Sequence, residues 1–212
     1  MGIRMGIRQS ETKKAPLVAF DFDGTLTVRD SFVAFLEWHV GALAFLVKAP
    51  GLAPAAIGYL RTRDRGPLKA AAARLYLGDI RREELAEAAR QFATRAFDEL
   101  IRPDALACWR HWRADGARLV IVTASPEILV APFAERLGAD GLIGSRLEFD
   151  AAGRLLGRLE GPNCRGPEKV ARLEAAYGAP IRLAAAYGDT AGDREMLALA
   201  DTAGLKVFRM RP

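Results

Sequence analysis

The chain is poor in the side chains that most often carry chemistry. Among 212 residues there are two cysteines and two histidines. Cys108 and Cys164 are too few for a disulfide framework and point to a reducing, cytoplasmic setting. His39 and His111 are too few for a poly-histidine zinc centre. Cys108 has arginine at 110 and 113 but not at 114, so the Cys-x5-Arg cradle of a thiol-based phosphate site is absent. Both cysteines read as packing residues. The carboxylates are therefore the place to look.

An unbroken apolar run of spanning length is also missing. The most apolar stretch, 38–60, is cut by Lys48 into uncharged runs of about ten and twelve residues. Pro50 and Pro54 would interrupt a single helix there. Two readings follow: a helical hairpin that touches a membrane surface, or a helix pair buried inside the protein. Burial is the expectation. Residues 1–14 contain the tetrapeptide MGIR twice and have no long apolar segment. They read as a disordered extension with Met5 as a candidate start, not as a secretory signal.

Charge is present in both signs. Lys and Arg total 31, Asp and Glu 26, for a net charge of +5. There is no basic tail. The excess fits phosphate-bearing substrates or an anionic lipid surface, and no nucleic-acid partner is expected. Half the residues are hydrophobic, and the length suits one domain carrying an insertion.

Residues 17–22 read as a buried strand that stops at a turn. Helices are expected over 31–47, 52–62, 67–77 and 81–98, with no strand among them. From residue 102 the pattern alternates. Helices are expected over 103–114, 126–137, 167–177 and 193–200, and strands over 118–123, 183–187 and 204–208. Residues 142–159 read as a β-hairpin turning at 150–153. Alternation implies an α/β fold with a parallel sheet covered on both faces. The helical block 30–100 reads as a cap inserted between core segments 15–29 and 101–212.

Ligands of such sheets bind beyond the carboxyl ends of the strands. Asp21-Phe22-Asp23-Gly24-Thr25, Thr123-Ala124-Ser125 and Gly188-Asp189-Thr190-Ala191-Gly192-Asp193 all fall there, and Lys169 begins a helix beside them. Asp21 and Asp189 would repel each other without a cation between them, and carboxylate oxygens with waters suit Mg²⁺. Asp21 could then attack phosphorus as a carboxylate nucleophile. Asp23 could protonate the leaving oxygen and later deprotonate water. Thr123, Ala124 and Lys169 would hold phosphoryl oxygens, and Gly24 would contribute to a backbone phosphate nest.

These four stretches, in order, resemble the motifs of the haloacid dehalogenase superfamily. The resemblance covers nearly the whole chain from residue 17. It implies a Rossmann-like core, a phosphatase activity through an aspartyl-phosphate, a backbone carbonyl from Asp23 to Mg²⁺, and a supporting role for Asp193 at the metal. The helical insertion after the first motif resembles the small cap of the subclass that contains phosphoserine phosphatase. The stretches around Thr123 and Lys169 are more similar to the HAD-IB hydrolase group, which includes phosphatidylglycerophosphatase C-like proteins. The resemblance puts Asp30 near the place where phosphoserine phosphatases carry a glutamate for the substrate amino group. The second motif here reads Thr-Ala-Ser rather than Ser-Gly-Gly, a departure from those enzymes.

The expected substrate is a small-molecule or lipid phosphomonoester, with phosphoserine-type hydrolysis and a non-catalytic regulatory role as alternatives. Arg61, Arg63, Arg65 and Lys69 form a basic cluster in the inserted block, either a solvated face or a clamp for an anionic headgroup. Asp30, Arg65 and Lys69 are the candidate specificity residues.

Overall fold

A computed structural model describes residues 15–212. The reading of residues 1–14 lies outside that range. Five parallel strands form the sheet, in the order β3-β2-β1-β6-β7, with β1 (Leu17–Phe20) in the middle. β1 pairs on one side with β2 (Arg118–Pro126) and on the other with β6 (Leu183–Gly188). The edges are β3 (Gly141–Ser145) and β7 (Ala200–Leu205).

The central strands β1 and β6 and the first half of β2 are mostly apolar because both faces there are covered. Val18 and Phe20 of β1, with Leu119 and Ile121 of β2, enter one core. Ala19, Val120 and Val122 enter the other. The first core is closed by helices α1 (Ser31–Val40), α4 (Gly66–Leu77), α5 (Arg82–Leu100), α6 (Pro103–Ala114) and α7 (Glu127–Leu137). The second is closed by α8 (Pro167–Tyr177) and α9 (Arg194–Leu197). Phe133 of α7 joins the helices inserted after β1 to the sheet. Its ring lies 5.5 Å from Phe22 and 6.0 Å from both Phe92 and Phe97 of α5.

Four expectations change. The helix expected over 31–47 breaks at Gly41, whose φ of 83° lies outside the helical region, and α2 (Ala42–Lys48) starts afresh. The hairpin expected over 142–159 is shorter. Its first part is β3 of the main sheet, and only β4 (Leu147–Phe149) and β5 (Leu155–Leu159) pair antiparallel. The last strand runs over 200–205 rather than 204–208, and α9 is correspondingly short. Finally, the pair α2 and α3 (Ala53–Thr62) is not buried: neither helix contains a buried residue. Phe45 stacks on Tyr76 of α4 at 4.7 Å, and the opposite side of the pair faces outward.

Candidate active site

The site begins where β1 stops. The Asp21 amide donates to Tyr187 O at 2.8 Å, which fixes the strand end against β6. The chain then makes one wide turn, Phe22–Leu26, in which Asp23 and Gly24 leave helical geometry. Thr27 closes it: its amide donates to Phe22 O at 3.0 Å, and its Oγ1 accepts from Gly24 N at 3.3 Å. The Gly24 N–H thus donates within the turn. Gly24 serves another purpose. Its φ is +81°, and a Cβ there would overlap the Asp189 carboxylate. Glycine lets the β1 turn and the β6 loop come together.

Lys169 sits under this junction in the first turn of α8, almost wholly buried. Its Nζ donates to Asp21 Oδ1 at 2.6 Å, to Asp193 Oδ1 at 2.6 Å and to Val122 O at 2.7 Å. An ammonium has three protons, so its donor capacity is filled by the protein. Burial works against its charge, but Asp21 and Asp193 outweigh it and hold the lysine pKa above its ordinary value. Lys169 therefore ties three chain segments together.

Asp193 is equally committed. Its Oδ2 accepts from Thr190 N at 2.9 Å, Thr190 Oγ1 at 3.0 Å and Asp189 N at 3.2 Å. Burial raises its pKa, yet Lys169 and the Thr190 donors hold it below the ordinary carboxylate value. Asp189 differs. Its Oδ1 is buried with no hydrogen-bond partner. Asp21, Asp189 and Asp193 each offer an oxygen, and these atoms lie within 4.8 Å of one another. Burial pushes Asp21 up to about 7, with Lys169 pulling against it. Burial and the neighbouring Asp193 raise Asp189 as well. Asp21 and Asp189, the latter with an orphaned buried oxygen, could hold a hard oxygen-seeking cation such as Mg²⁺, with Asp193 beside them.

The Asp23 carboxylate stands outside that cluster. Its Oδ1 accepts from Ser31 N at 2.6 Å and its Oδ2 from Ser125 Oγ at 2.5 Å. Burial and the charge of Asp30 raise its pKa, while Ser125 and Ser31 oppose the shift. Ser125 reaches Asp23 because the pairing of β2 with β3 shifts between Val122 and Pro126. Thr123 at that shift is fully buried, and its Oγ1 accepts from Ser125 N at 3.0 Å. It supports the loop from below, while Ala124 and Ser125 line the cleft.

The cleft is small, with a volume of about 80 Å³. Asp21, Asp23, Lys169, Asp189 and Asp193 line it, together with Asp30, Arg65 and Lys69. Lys69 Nζ donates to Ala124 O, a direct hydrogen bond from α4 to the β2 loop. Burial lowers the Lys69 pKa, and Asp23 and Asp30 oppose the shift. The cleft also contains Ser125, Asn163, Arg165 and Thr190, which the sequence reading did not assign. Asn163 is held by Ser145 Oγ at 2.9 Å, and the Arg165 stem lies close to Gly192. Their nearness to Thr123, Lys169 and Asp189 in the chain was the available signal.

This geometry agrees with the comparisons. A model of haloacid dehalogenase-like hydrolases matches residues 18–198. The chain is 55% identical over 196 residues to protein CicA of Caulobacter vibrioides, covering 92% of this chain and 88% of that one. It is 31% identical to a phosphoserine phosphatase of Halobacterium salinarum, covering 88% and 83%. In fold it resembles a protein of unknown function from Bordetella pertussis Tohama I, with a TM-score of 0.74, 22% identity and coverage of 90% and 89%. Four strand-end and helix-start groups gathered on one floor, in the order of the family's motifs, place the chain in the haloacid dehalogenase-like hydrolase family.

Proposed function

We propose that the protein is a Mg²⁺-dependent phosphatase that hydrolyses a phosphomonoester through an aspartyl-phosphate on Asp21. The observation that carries this reading is the division of labour among the floor carboxylates. Asp21 is clamped by Lys169, Asp189 keeps an unpartnered oxygen, and Asp23 stands apart with a raised pKa. Asp21, Asp189 and the Asp23 backbone carbonyl would hold Mg²⁺, with Asp193 as buttress. When bound, the ion would neutralise charge on the phosphoryl oxygens.

The chain's own residues do the rest. Lys169 occupies Asp21 Oδ1, and Thr25 Oγ1 makes only a long 3.3 Å contact to Oδ2. Oδ2 is thus the freer oxygen for attack on phosphorus. As the Oδ2–P bond forms, the bond to the leaving oxygen breaks, and Asp23 gives that oxygen its proton. The raised pKa of Asp23 favours the protonated form that this step needs. Asp23 then takes a proton from water as the water oxygen attacks phosphorus. Phosphate leaves and Asp21 is restored. Ser125 and the Ser31 amide aim the Asp23 carboxyl throughout.

Residues 30–100 act in this proposal as the cap that admits substrate and excludes water. The setting is cytoplasmic. Asp30 and Arg65 share the cleft wall, which suits a phosphorylated amino acid of the kind named in the Halobacterium relative. The basic wall of Arg65, Lys69 and Arg165 suits a lipid phosphate with a second anionic group. The test is phosphate release, with and without Mg²⁺, from an aryl phosphate, phosphoserine and lipid phosphomonoesters. Mg²⁺-dependent release from at least one class is expected. No release from any would favour a regulatory protein on the same fold.

Gly24→Ala provides a sharper check. Strain at positive φ and the clash with Asp189 should raise the Mg²⁺ concentration for half-maximal release by about tenfold or more. Unchanged Mg²⁺ dependence would remove Asp189 from the metal site.

A further inference from the structure

We propose that the outer face of the α2–α3 pair docks on the surface of an anionic lipid bilayer. Leu43, Leu46 and Val47 of α2 and Ile57 and Leu60 of α3 are between 53% and 77% exposed. The α2 residues follow the i, i+3, i+4 spacing of a single helix face. Exposed apolar side chains grouped in this way mark an interaction surface.

The charges around the face identify the partner. Between residues 42 and 69 the basic groups are Lys48, Arg61, Arg63, Arg65 and Lys69, and the only acid is Asp64. Asp64 is itself exposed, and its Oδ1 accepts from Gly66 N at 2.8 Å, so one acid stands among five basic groups. Lys48 and Arg61 through Arg65 are exposed beside the apolar residues. An apolar face rimmed by guanidinium and ammonium groups matches acyl chains beneath anionic headgroups.

The segment Ala42–Thr62 is long and apolar enough to cross a membrane by length and composition. Its geometry favours lying on one. Lys48 and the 3-10 segment Ala49–Leu52, with Pro50 inside it, lie midway along that stretch and put a charge in its middle. The inner side is already engaged: Tyr76 Oη donates to Phe45 O at 2.9 Å, and Gly51 lies against Leu75. Only the outer side is left for lipid. Arg65, in the short connection after α3, lines the cleft and lies 5.8 Å from the Tyr59 ring of α3. Docking would therefore bring the cleft to the headgroup layer. This extends the phosphatase reading by giving its cap a partner, but it does not depend on the chemistry at Asp21.

The test is co-sedimentation of the full chain with vesicles of equal parts phosphatidylcholine and phosphatidylglycerol, against pure phosphatidylcholine. Binding to the anionic vesicles, weakened by salt, is expected. The double variant Leu46→Asp/Ile57→Asp should lose it while keeping wild-type turnover of a soluble aryl phosphate. Lys48→Glu/Arg61→Glu, which leaves the apolar face intact, should weaken binding more than about tenfold. Asp21→Asn should bind vesicles like wild type, so failure of docking and failure of catalysis are read separately. Absence of wild-type binding to anionic vesicles would overturn the proposal. So would binding as tight as wild type by both double variants. Dimers in sedimentation velocity that dissociate in Leu46→Asp/Ile57→Asp, without vesicle binding, would assign the face to a second copy instead.

Discussion

Asp21→Asn should lower Mg²⁺-dependent phosphate release by at least about 10⁴-fold. The amide matches the carboxylate in size but is a far poorer nucleophile. The fold should survive, because the substitution removes one of three crowded carboxylates. Burial already pushes Asp21 up to about 7, so the neutral side chain is tolerated where it stands. Lys169 keeps Asp193 Oδ1 and Val122 O as acceptors. The measurement pairs turnover with thermal unfolding. Near-normal turnover in a folded variant would remove Asp21 as the attacking group.

Lys169→Met should have the largest effect on stability. It leaves Asp21 and Asp193 buried side by side with no counter-charge, and it deprives Val122 O of its donor. Breaking a buried pair by removing one partner costs about 3–5 kcal/mol. For a chain of this size that is a fall of about 10 °C in the unfolding midpoint. Activity should fall with it, since the clamp on Asp21 is gone. Two controls separate electrostatics from packing. Mg²⁺ should raise the midpoint of the variant more than that of wild type, by restoring positive charge among the carboxylates. Adding Asp193→Asn should recover part of the loss, because the repulsion then disappears. An unchanged midpoint for Lys169→Met without Mg²⁺ would show that the buried triad carries no stability.

Much of this was legible in the sequence. Leu17–Phe20 and the start of β2 are short apolar runs bounded by turn residues, so their strand character is local. Helices 103–114 and 167–177 begin with proline, which marks a first turn. Asp21, Asp23, Lys169, Asp189 and Asp193 could be placed because a parallel sheet gathers strand ends. What failed depends on tertiary pairing. Leu142 and Leu155 look alike as strand residues, but only contact with β2 draws the first into the main sheet. Leu43 and Ile57 look like core residues, because composition reports hydrophobicity and not whether a partner exists. The nearness of Ser125 to Thr123 hinted at the site, but its hydrogen bond to Asp23 depends on how β2 meets the β1 turn.

The aromatic packing of α5 on α7 has a mechanical consequence. Phe92 and Phe97 meet Phe133, and Phe133 meets Phe22, the residue between Asp21 and Asp23. The longest helix of the insertion is thus bolted to the same ring cluster that backs the nucleophile. It works as a door frame rather than a door. The helices furthest from that frame are α2 and α3, which bury no residue, while α4 holds to the core and reaches the Ala124 carbonyl through Lys69.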